Sequence, residues 1–372
     1  MSNTYDVIVI GSGPAGLTSA ITAARNGKRV LLTERNEKLA KKIYATGNGR
    51  CNFLNKKAND FEEVMDFCSS IGIIPVEEED GRLYPRNKEA RSVVNCFEAN
   101  LKKAGVEVEL DFETVSVQKT EQGFVVESKQ GKSFTADSVV VATGGKAGIQ
   151  FGCYGDGYKW AEGFGHKVIK PIPALTGLEV EEDLSVLAGT RVFAKVSLFD
   201  GDKFLAEDTG EVQFTKESIS GICVMNLSRN IRLTENNKFS LHMDFYPEYT
   251  KEELLALFMS QIKAAGCAME GLVPEAVHNY LHTRIKPEEH NPMTMSALSK
   301  DLSFTVTGTK GWKDAQVTCG GVDFDELDDS YQSKKVPGLY FAGEVLNYDG
   351  PCGGYNIGFA ISSGLKVGKA FK

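Results

Sequence analysis

At 372 residues, with 42% hydrophobic and 25% charged side chains, the chain has the composition of an ordinary folded protein and a length for two or three domains, which excludes fibrous and disordered classes. Its 42 basic against 50 acidic residues leave a net charge of -8, which argues against a nucleic-acid partner. Eight scattered cysteines form no Cys-x-x-Cys or zinc-type spacing, and neither a signal-like start nor an apolar run near the ~18 residues of a membrane span is present, so reduced thiols, a cytoplasmic address and no membrane partner are expected.

Tyr5 to Ile10 (YDVIVI) is β-branched and almost wholly apolar, as a central parallel strand covered on both faces should be. GSGPAG follows at once. Gly11 allows a tight turn, Gly13 lets backbone approach a pyrophosphate, and Gly16 permits close packing of helix on strand. Pro14 and Ala15 open that helix, which is expected to end at Gly27, and its first amides suit phosphates. KRVLLTER then gives a second strand, with Glu34 and Arg35 at its end, where the ribose-binding acid of a dinucleotide fold belongs, roughly 20 residues past the glycines. A carboxylate there favours FAD or NAD over NADP. Lys38, Lys41 and Lys42, and then Lys56 and Lys57, predict solvated faces.

GNGRCNFLN, from Gly47 to Asn55, comes next. If FAD occupies the site, this stretch runs beneath the pyrophosphate and the flavin. Gly47 and Gly49 then allow close approach, Arg50 offers a fixed positive fork, and Asn48 and Asn52 supply hydrogen bonds. Cys51 is either a small packing residue or a thiol near the flavin.

Short alternating segments from Val106 to Ala136, with turns at Glu121 to Gly123 and Gln130 to Lys132, predict a β-meander. In FAD enzymes of this architecture the meander crosses the sheet, which makes Val115 the expected backbone contact to adenine. SVVVATGG is the return strand, ending in Thr143, Gly144 and Gly145. From about Pro171 to Gly308 no nucleotide signature recurs. TRVFAKVSLFDGDKFLAEDTGEVQFT and KFSLHMDFYP alternate as barrel strands do. Thr250 and Glu253 form a capping box for a helix ending at Gly266. A second helix after Pro274 carries His278 and His282, but with no glutamate of a His-Glu-x-x-His motif and no third ligand no metal is expected. His166 and His242 are structural candidates. No Gly-x-Ser-x-Gly elbow supports hydrolysis.

The choice between NAD and FAD rests on the C-terminal region. LYFAG predicts a strand, followed by Gly343 and Glu344, a loop, and a helix opening near Gly354 and Tyr355. Glu344 is placed to accept from ribityl hydroxyls, and the amides around Tyr355, Asn356 and Ile357 to face the N1/C2=O edge of a flavin. This favours FAD.

Together, YDVIVIGSGPAG, KKIYATGNGRCNFLN, ATGGKAG with GDGYKWAEGFGH, AQVTCGGVD and PGLYFAGEVLNYDGPCGGYN resemble a bacterial family of NAD(P)/FAD-dependent flavoproteins of the aminoacetone-oxidase-like and bile-acid dehydro-reductase-like kinds. The resemblance runs nearly end to end. It implies an α/β fold in which a Rossmann-type FAD-binding domain with parallel sheet and β-meander (1–170 and 309–372) is interrupted by an insert. The insert is a β-barrel (171–248 and about 293–308) with a small helical subdomain (249–292). Non-covalent FAD is implied as well. Two departures stand out: Ile357 to Ile361 replace a Leu-Gln-Trp-Ala-Trp run after GGYN, and Ser218 and Cys223 replace Gly and Pro in the insert.

With no second dinucleotide motif and no Cys-x-x-Cys, the flavin is expected to exchange hydride at N5 with a small organic substrate, Tyr355 and Cys51 being its candidate neighbours, and NADH or NADPH to serve at most as a transient donor. The first reading is reduction of a C=C bond conjugated to a carbonyl. Oxidation of an amine or amino ketone to give hydrogen peroxide, and a flavin-binding redox sensor without turnover, stay open beside it.

Overall fold

The computed structural model describes residues 4–231, 238–269 and 271–372. In chain order the first unit begins with strand β1 (Thr4–Ile10), helix α1 (Pro14–Arg25) and β2 (Val30–Thr33). An excursion follows, with a 3-10 turn over Ile43–Gly49, β3 (Leu54–Asn55), α2 (Phe61–Ser70), β4 (Pro75–Glu77), β5 (Arg82–Pro85) and α3 (Ala90–Ala104). The unit continues with β6 (Glu107–Glu109), β7 (Thr114–Thr120), β8 (Gly123–Ser128), β9 (Ser133–Val141), α4 (Asp156–Gly163) and β10 (Val168–Ala174).

One sheet runs β6-β2-β1-β9-β8-β7. β6, β2, β1 and β9 are parallel, whereas β8 and β7 fold back as the expected meander. β9 pairs with β1 along one edge and divides the other between two strands: its first half pairs with β8, and Val139 to Val141 pair in parallel with β18 (Leu339–Phe341), a strand from the far end of the chain. The period of two explains why β1 has no polar face. Val7 and Val9 join a core with α1 and α3, while Ile8 and Ile10 join another with Phe124, Phe134 and Tyr158.

The second unit opens with β11 (Leu178–Val180), β12 (Arg191–Asp200), β13 (Lys203–Phe214), β14 (Ser218–Ser220), α5 (Ile222–Ser228) and β15 (Phe239–Asp244). It closes with α6 (Lys251–Ala265), α7 (Glu275–Thr283), α8 (Pro292–Lys300) and β16 (Leu302–Thr309). Its strands form a closed barrel, β11-β14-β13-β12-β15-β16, which leaves no free edge. The Thr250 capping box is present, and Gly266 terminates α6 in the left-handed conformation. α6, α7 and α8 share one apolar core with the barrel, Phe258, Tyr280 and Met295 clustering with Leu241 and Phe304.

The chain then returns to the first unit with β17 (Val317–Val322), which pairs with β10, then β18 and α9 (Tyr355–Ala370). By contact the units are Met1–Ile172 with Val317–Lys372, and Pro173–Gln316. α9 lies directly on α1: a Cβ at Gly364 would stand 2.5 Å from Ala15 O, and one at Gly368 the same distance from Thr22 Cβ. Among the described residues no helix is long and apolar enough to cross a membrane.

Candidate active site at the carboxyl edge of the sheet

β1, β9 and β18 are parallel, so their carboxyl ends emerge along one edge. At the end of β1 the chain turns at Gly11 with φ +103°, and a Cβ there would sit 2.5 Å from Ala142 O. Only glycine satisfies both conditions. Pro14 occupies the first helical turn, where its missing N–H costs nothing. Nothing lies within 4 Å of a Cβ built on Gly13, so backbone beside the amino end of α1 is open. That end offers unpaired amides and positive dipole to an anion. Gly16 packs down on the turn, a Cβ on it reaching 1.9 Å from Gly11 O. Buried Ala15 meets the end of β18, a Cβ on Gly343 coming within 2.7 Å of Ala15 Cβ.

Glu34 is 8% exposed and completes this edge. Its Oε2 accepts from Ser12 N (3.0 Å) and Ser12 Oγ (2.5 Å), and its Oε1 from Asn36 N (2.8 Å) and Nδ2 (2.7 Å). Ser12 Oγ also accepts from Ala40 N at 3.0 Å. An anchored carboxylate beside an open helix amino end fits the ribose and pyrophosphate of a dinucleotide. Ser12 and Asn36 escaped the sequence reading, although Ser12 lies inside GSGPAG. Arg35 is committed elsewhere: Nη2 pairs with Asp156 Oδ2 (2.8 Å), Nη1 donates to Gly152 O (3.1 Å), and the guanidinium lies over Tyr154. Val115 is half-exposed on β7, two residues past Glu113, which stands 3.9 Å from Arg35.

A second group forms where β9 and β18 end. Glu344 Oε1 accepts from Thr318 N (2.7 Å), and its Oε2 from Lys42 Nζ (3.1 Å). Gly144 faces this carboxylate, a Cβ built on it standing 4.0 Å from Oε2. Thr143 lies beside Gly157, and Gly145 is packed between Thr318 and Tyr158. Thr318 Oγ1 accepts from Lys146 N (2.7 Å) and Ala147 N (3.0 Å), which fixes the loop after β9. Burial, then the Glu344 charge, raises the Tyr158 phenol well above its usual range, so it stays protonated and donates to Glu344 O at 3.3 Å.

The GNGRCNFLN stretch divides into an exposed crest and a buried base. Gly47, Asn48 and Gly49 are exposed, with left-handed φ at all three. The Arg50 fork meets Glu78 (3.2 and 3.3 Å) and stacks on Tyr84, 4.5 Å from its centroid. Cys51 is fully buried, and burial pushes its thiol up to about 11, the property of a packing residue. Asn52, its amide nitrogen turned to the carbonyls of Leu83 and Leu54 (3.1 Å each), accepts from Gly354 N at 3.3 Å. Asn55 Nδ2 donates to Gly353 O at 2.9 Å. Two asparagines of this stretch therefore hold the loop that opens α9.

Gly354 caps α9 at φ +97°, and a Cβ there would lie 2.4 Å from Leu54 O. Tyr355 and Ile357 are partly exposed in the first turn. Asn356 turns back instead, accepting from Gly350 N (2.8 Å) and donating to Gly350 O (2.9 Å) and Pro351 O (3.2 Å). Phe359, within the departing run, stacks on Tyr348 at 3.8 Å.

Of the histidines, His166 packs edge-on against Phe341 of β18, with ring centroids 5.2 Å apart. Buried His166 has Ser333 Oγ at 2.8 Å and Glu326 Oε2 at 3.4 Å, the order of a hydrolytic triad. Ser333, however, is 4% exposed and accepts from Lys335 N and Val336 N, which makes it a turn-closing residue. His242 pairs with Asp301. His278 and His282 contact each other, and His282 contacts His290, but among the described residues no group of three or more His, Cys, Asp and Glu is arranged to hold a metal ion.

The family model described as "HI0933-like protein Rossmann domain" matches residues 5–62 and 58–370. The chain is 32% identical to the 3-dehydro-bile acid delta(4,6)-reductase of Clostridium scindens, over 97% of this chain and 98% of that one. It is 29% identical to the ribosomal RNA dihydrouridine synthase of Escherichia coli, over 96% of each. Among solved structures, the 3-ketosteroid-delta4-(5alpha)-dehydrogenase from Rhodococcus jostii RHA1 superposes with a TM-score of 0.54 at 14% identity, over 98% of this chain and 96% of that one, a likeness of fold.

Proposed function

We propose, from the premise that the chain belongs to the HI0933-like Rossmann family and is an FAD-dependent oxidoreductase, that it reduces a C=C bond conjugated to a carbonyl in a small organic substrate. Bound FAD would supply the hydride. The amides around Gly13 to Gly16 would hold its pyrophosphate and Glu34 its ribose, while Glu344 and the amino end of α9 would face the flavin end. Thr143 to Gly145 and the backbone near Val115 complete the proposed set. Arg35, Arg50 and Asn356 would act at one remove, since their polar atoms hold neighbouring loops.

One observation carries the substrate class: the end-to-end likeness to a reductase of a 3-oxo steroid acid with double bonds at positions 4 and 6. The name of the second relative describes the same chemistry, since a uridine becoming dihydrouridine loses a ring double bond conjugated to a carbonyl. Hydride added to the far carbon of such a C=C bond and a proton added to the carbon next to the carbonyl would saturate it. The net charge of -8 favours a free small molecule over RNA, because RNA binding rests on Lys and Arg at phosphates.

Anaerobic stopped-flow spectroscopy tests the proposal. NADH or NADPH should bleach the visible flavin band, and a conjugated enone should restore it with a saturable rate while its own ultraviolet band is lost. Restoration only by a uridine-containing RNA would move the activity to the second relative's substrate. Peroxide formed from an amine in air, with no response to enones, would refute the reductase, and a yellow protein inert to every donor and acceptor would leave a sensor.

A further inference from the structure

Lys42 follows Lys38 and Lys41 in a stretch whose sequence predicts a solvated face, and its neighbours behave that way. Lys38 and Lys41 are exposed, and Lys41 reaches Asn36 Oδ1 at 3.5 Å. Lys42 does something different. Its side chain is 30% exposed and ends 3.1 Å from Glu344 Oε2, which is 302 residues away in sequence and itself 21% exposed. Its stem passes Gly148, where a Cβ would come within 3.7 Å of Lys42 Cε.

The other Glu344 oxygen is occupied by Thr318 N at 2.7 Å. The carboxylate is therefore clamped by two donors, one of them charged. Burial alone would push the Lys42 ammonium toward neutrality, but the charge and hydrogen bond of Glu344, together with Cys153, more than offset it and hold the lysine above its usual range. The pair is itself close to neutral, whereas removing its cation leaves a partly buried carboxylate without its counter-charge, the costly outcome for a shielded ion pair.

We propose that Lys42 is a positioning residue of the cofactor edge, fixing the Glu344 carboxylate and cancelling its charge where the flavin end of FAD binds. The proposal rests on the flavin reading above. Its consequence is electrostatic as well as structural. Reduction adds negative charge to a flavin, so an uncompensated Glu344 disfavours the reduced form and moves the midpoint potential in the negative direction.

The test uses the full-length holoprotein. Lys42→Gln keeps a hydrogen-bond donor and drops the charge; Lys42→Arg keeps the charge. Lys42→Gln should weaken FAD binding about tenfold, the scale of a lost charged hydrogen bond, and shift the flavin potential negative, while Lys42→Arg stays close to wild type in both. The double variant Lys42→Gln/Glu344→Gln, which removes both charges, should return the potential toward the wild-type value, a reversal that a purely structural lysine would not produce. A Lys42→Gln protein that matches a flavin-loaded wild type in FAD affinity and potential overturns the role of the lysine alone. A wild type that takes up no FAD overturns the flavin reading with it.

Discussion

Glu34 shows how one side chain can be legible in sequence while its setting is not. Its place at the end of β2 follows from the spacing of the dinucleotide motif, but the four donors that hold it come from Ser12 and Asn36. Such donors leave the carboxylate little freedom to rotate, so a ribose bound as proposed would meet an acceptor fixed before the ligand arrives. Glu34→Arg replaces an anchored acceptor with a bulky cation at a site that is 8% exposed. FAD retention should then collapse, by at least a hundredfold in dissociation constant, as followed by quenching of flavin fluorescence; unchanged affinity would remove Glu34 from the ribose site. A milder Ser12→Ala change deletes two hydrogen bonds, to Glu34 and from Ala40, and should weaken FAD by a smaller factor without releasing it.

At the scale of elements, what the sequence discloses is what repeats locally. The alternation of β1, the glycine turn before α1, the capping box of α6 and the hairpin turn between β12 and β13 depend on residues within a few positions of one another. The individual strands and helices were legible for that reason, whereas their grouping into an FAD-binding domain interrupted by a barrel insert came from the family resemblance. The excursion from β3 to β6 was not legible, since its three-stranded sheet is built from strands of two to four residues, too short to show a period. Contacts such as Asn55 to Gly353 or Lys42 to Glu344 join positions some 300 residues apart, and no local pattern encodes them. The α7 histidines mark the same boundary: their spacing was visible, whereas His290 joined them only in the fold. His282 lies 2.7 Å from His278 and 3.2 Å from His290. Burial first, and the two neighbouring imidazoles after it, hold His282 below the usual histidine range. The fold thus favours the neutral ring, so its contribution is complete above the unfolded value of about 6.5 and is lost as pH falls below it. The urea midpoint should drop between pH 7 and pH 5, and His282→Gln should flatten that drop. A His282→Gln protein with the wild-type slope would place the acid sensitivity elsewhere, His166 being the next group held low by burial.

For the whole molecule, the distribution of the proposed cofactor residues has a thermodynamic consequence. From Gly11 to Asn52, through Val115 and Thr143 to Gly145, to Gly343 and Ile357, every one belongs to the unit formed by Met1–Ile172 and Val317–Lys372. The other unit, Pro173–Gln316, has its own closed barrel and its own apolar core, so its stability has an independent source. A ligand that binds only folded protein adds stability as the logarithm of its concentration over its dissociation constant, about 2.7 kcal/mol at a hundredfold excess. If FAD engages the first unit through the residues named, that increment belongs to segments near Gly11 to Asn52, Thr143 to Gly145 and Gly343 to Ile357. Hydrogen exchange with and without excess FAD should therefore slow in those three segments, most strongly at the first turns of α1 and α9, while β12, β13 and β15 keep their apo rates. Equal protection of the barrel strands would mean that the insert also grips the cofactor, and the binding set would then have to extend beyond the carboxyl edge of the sheet.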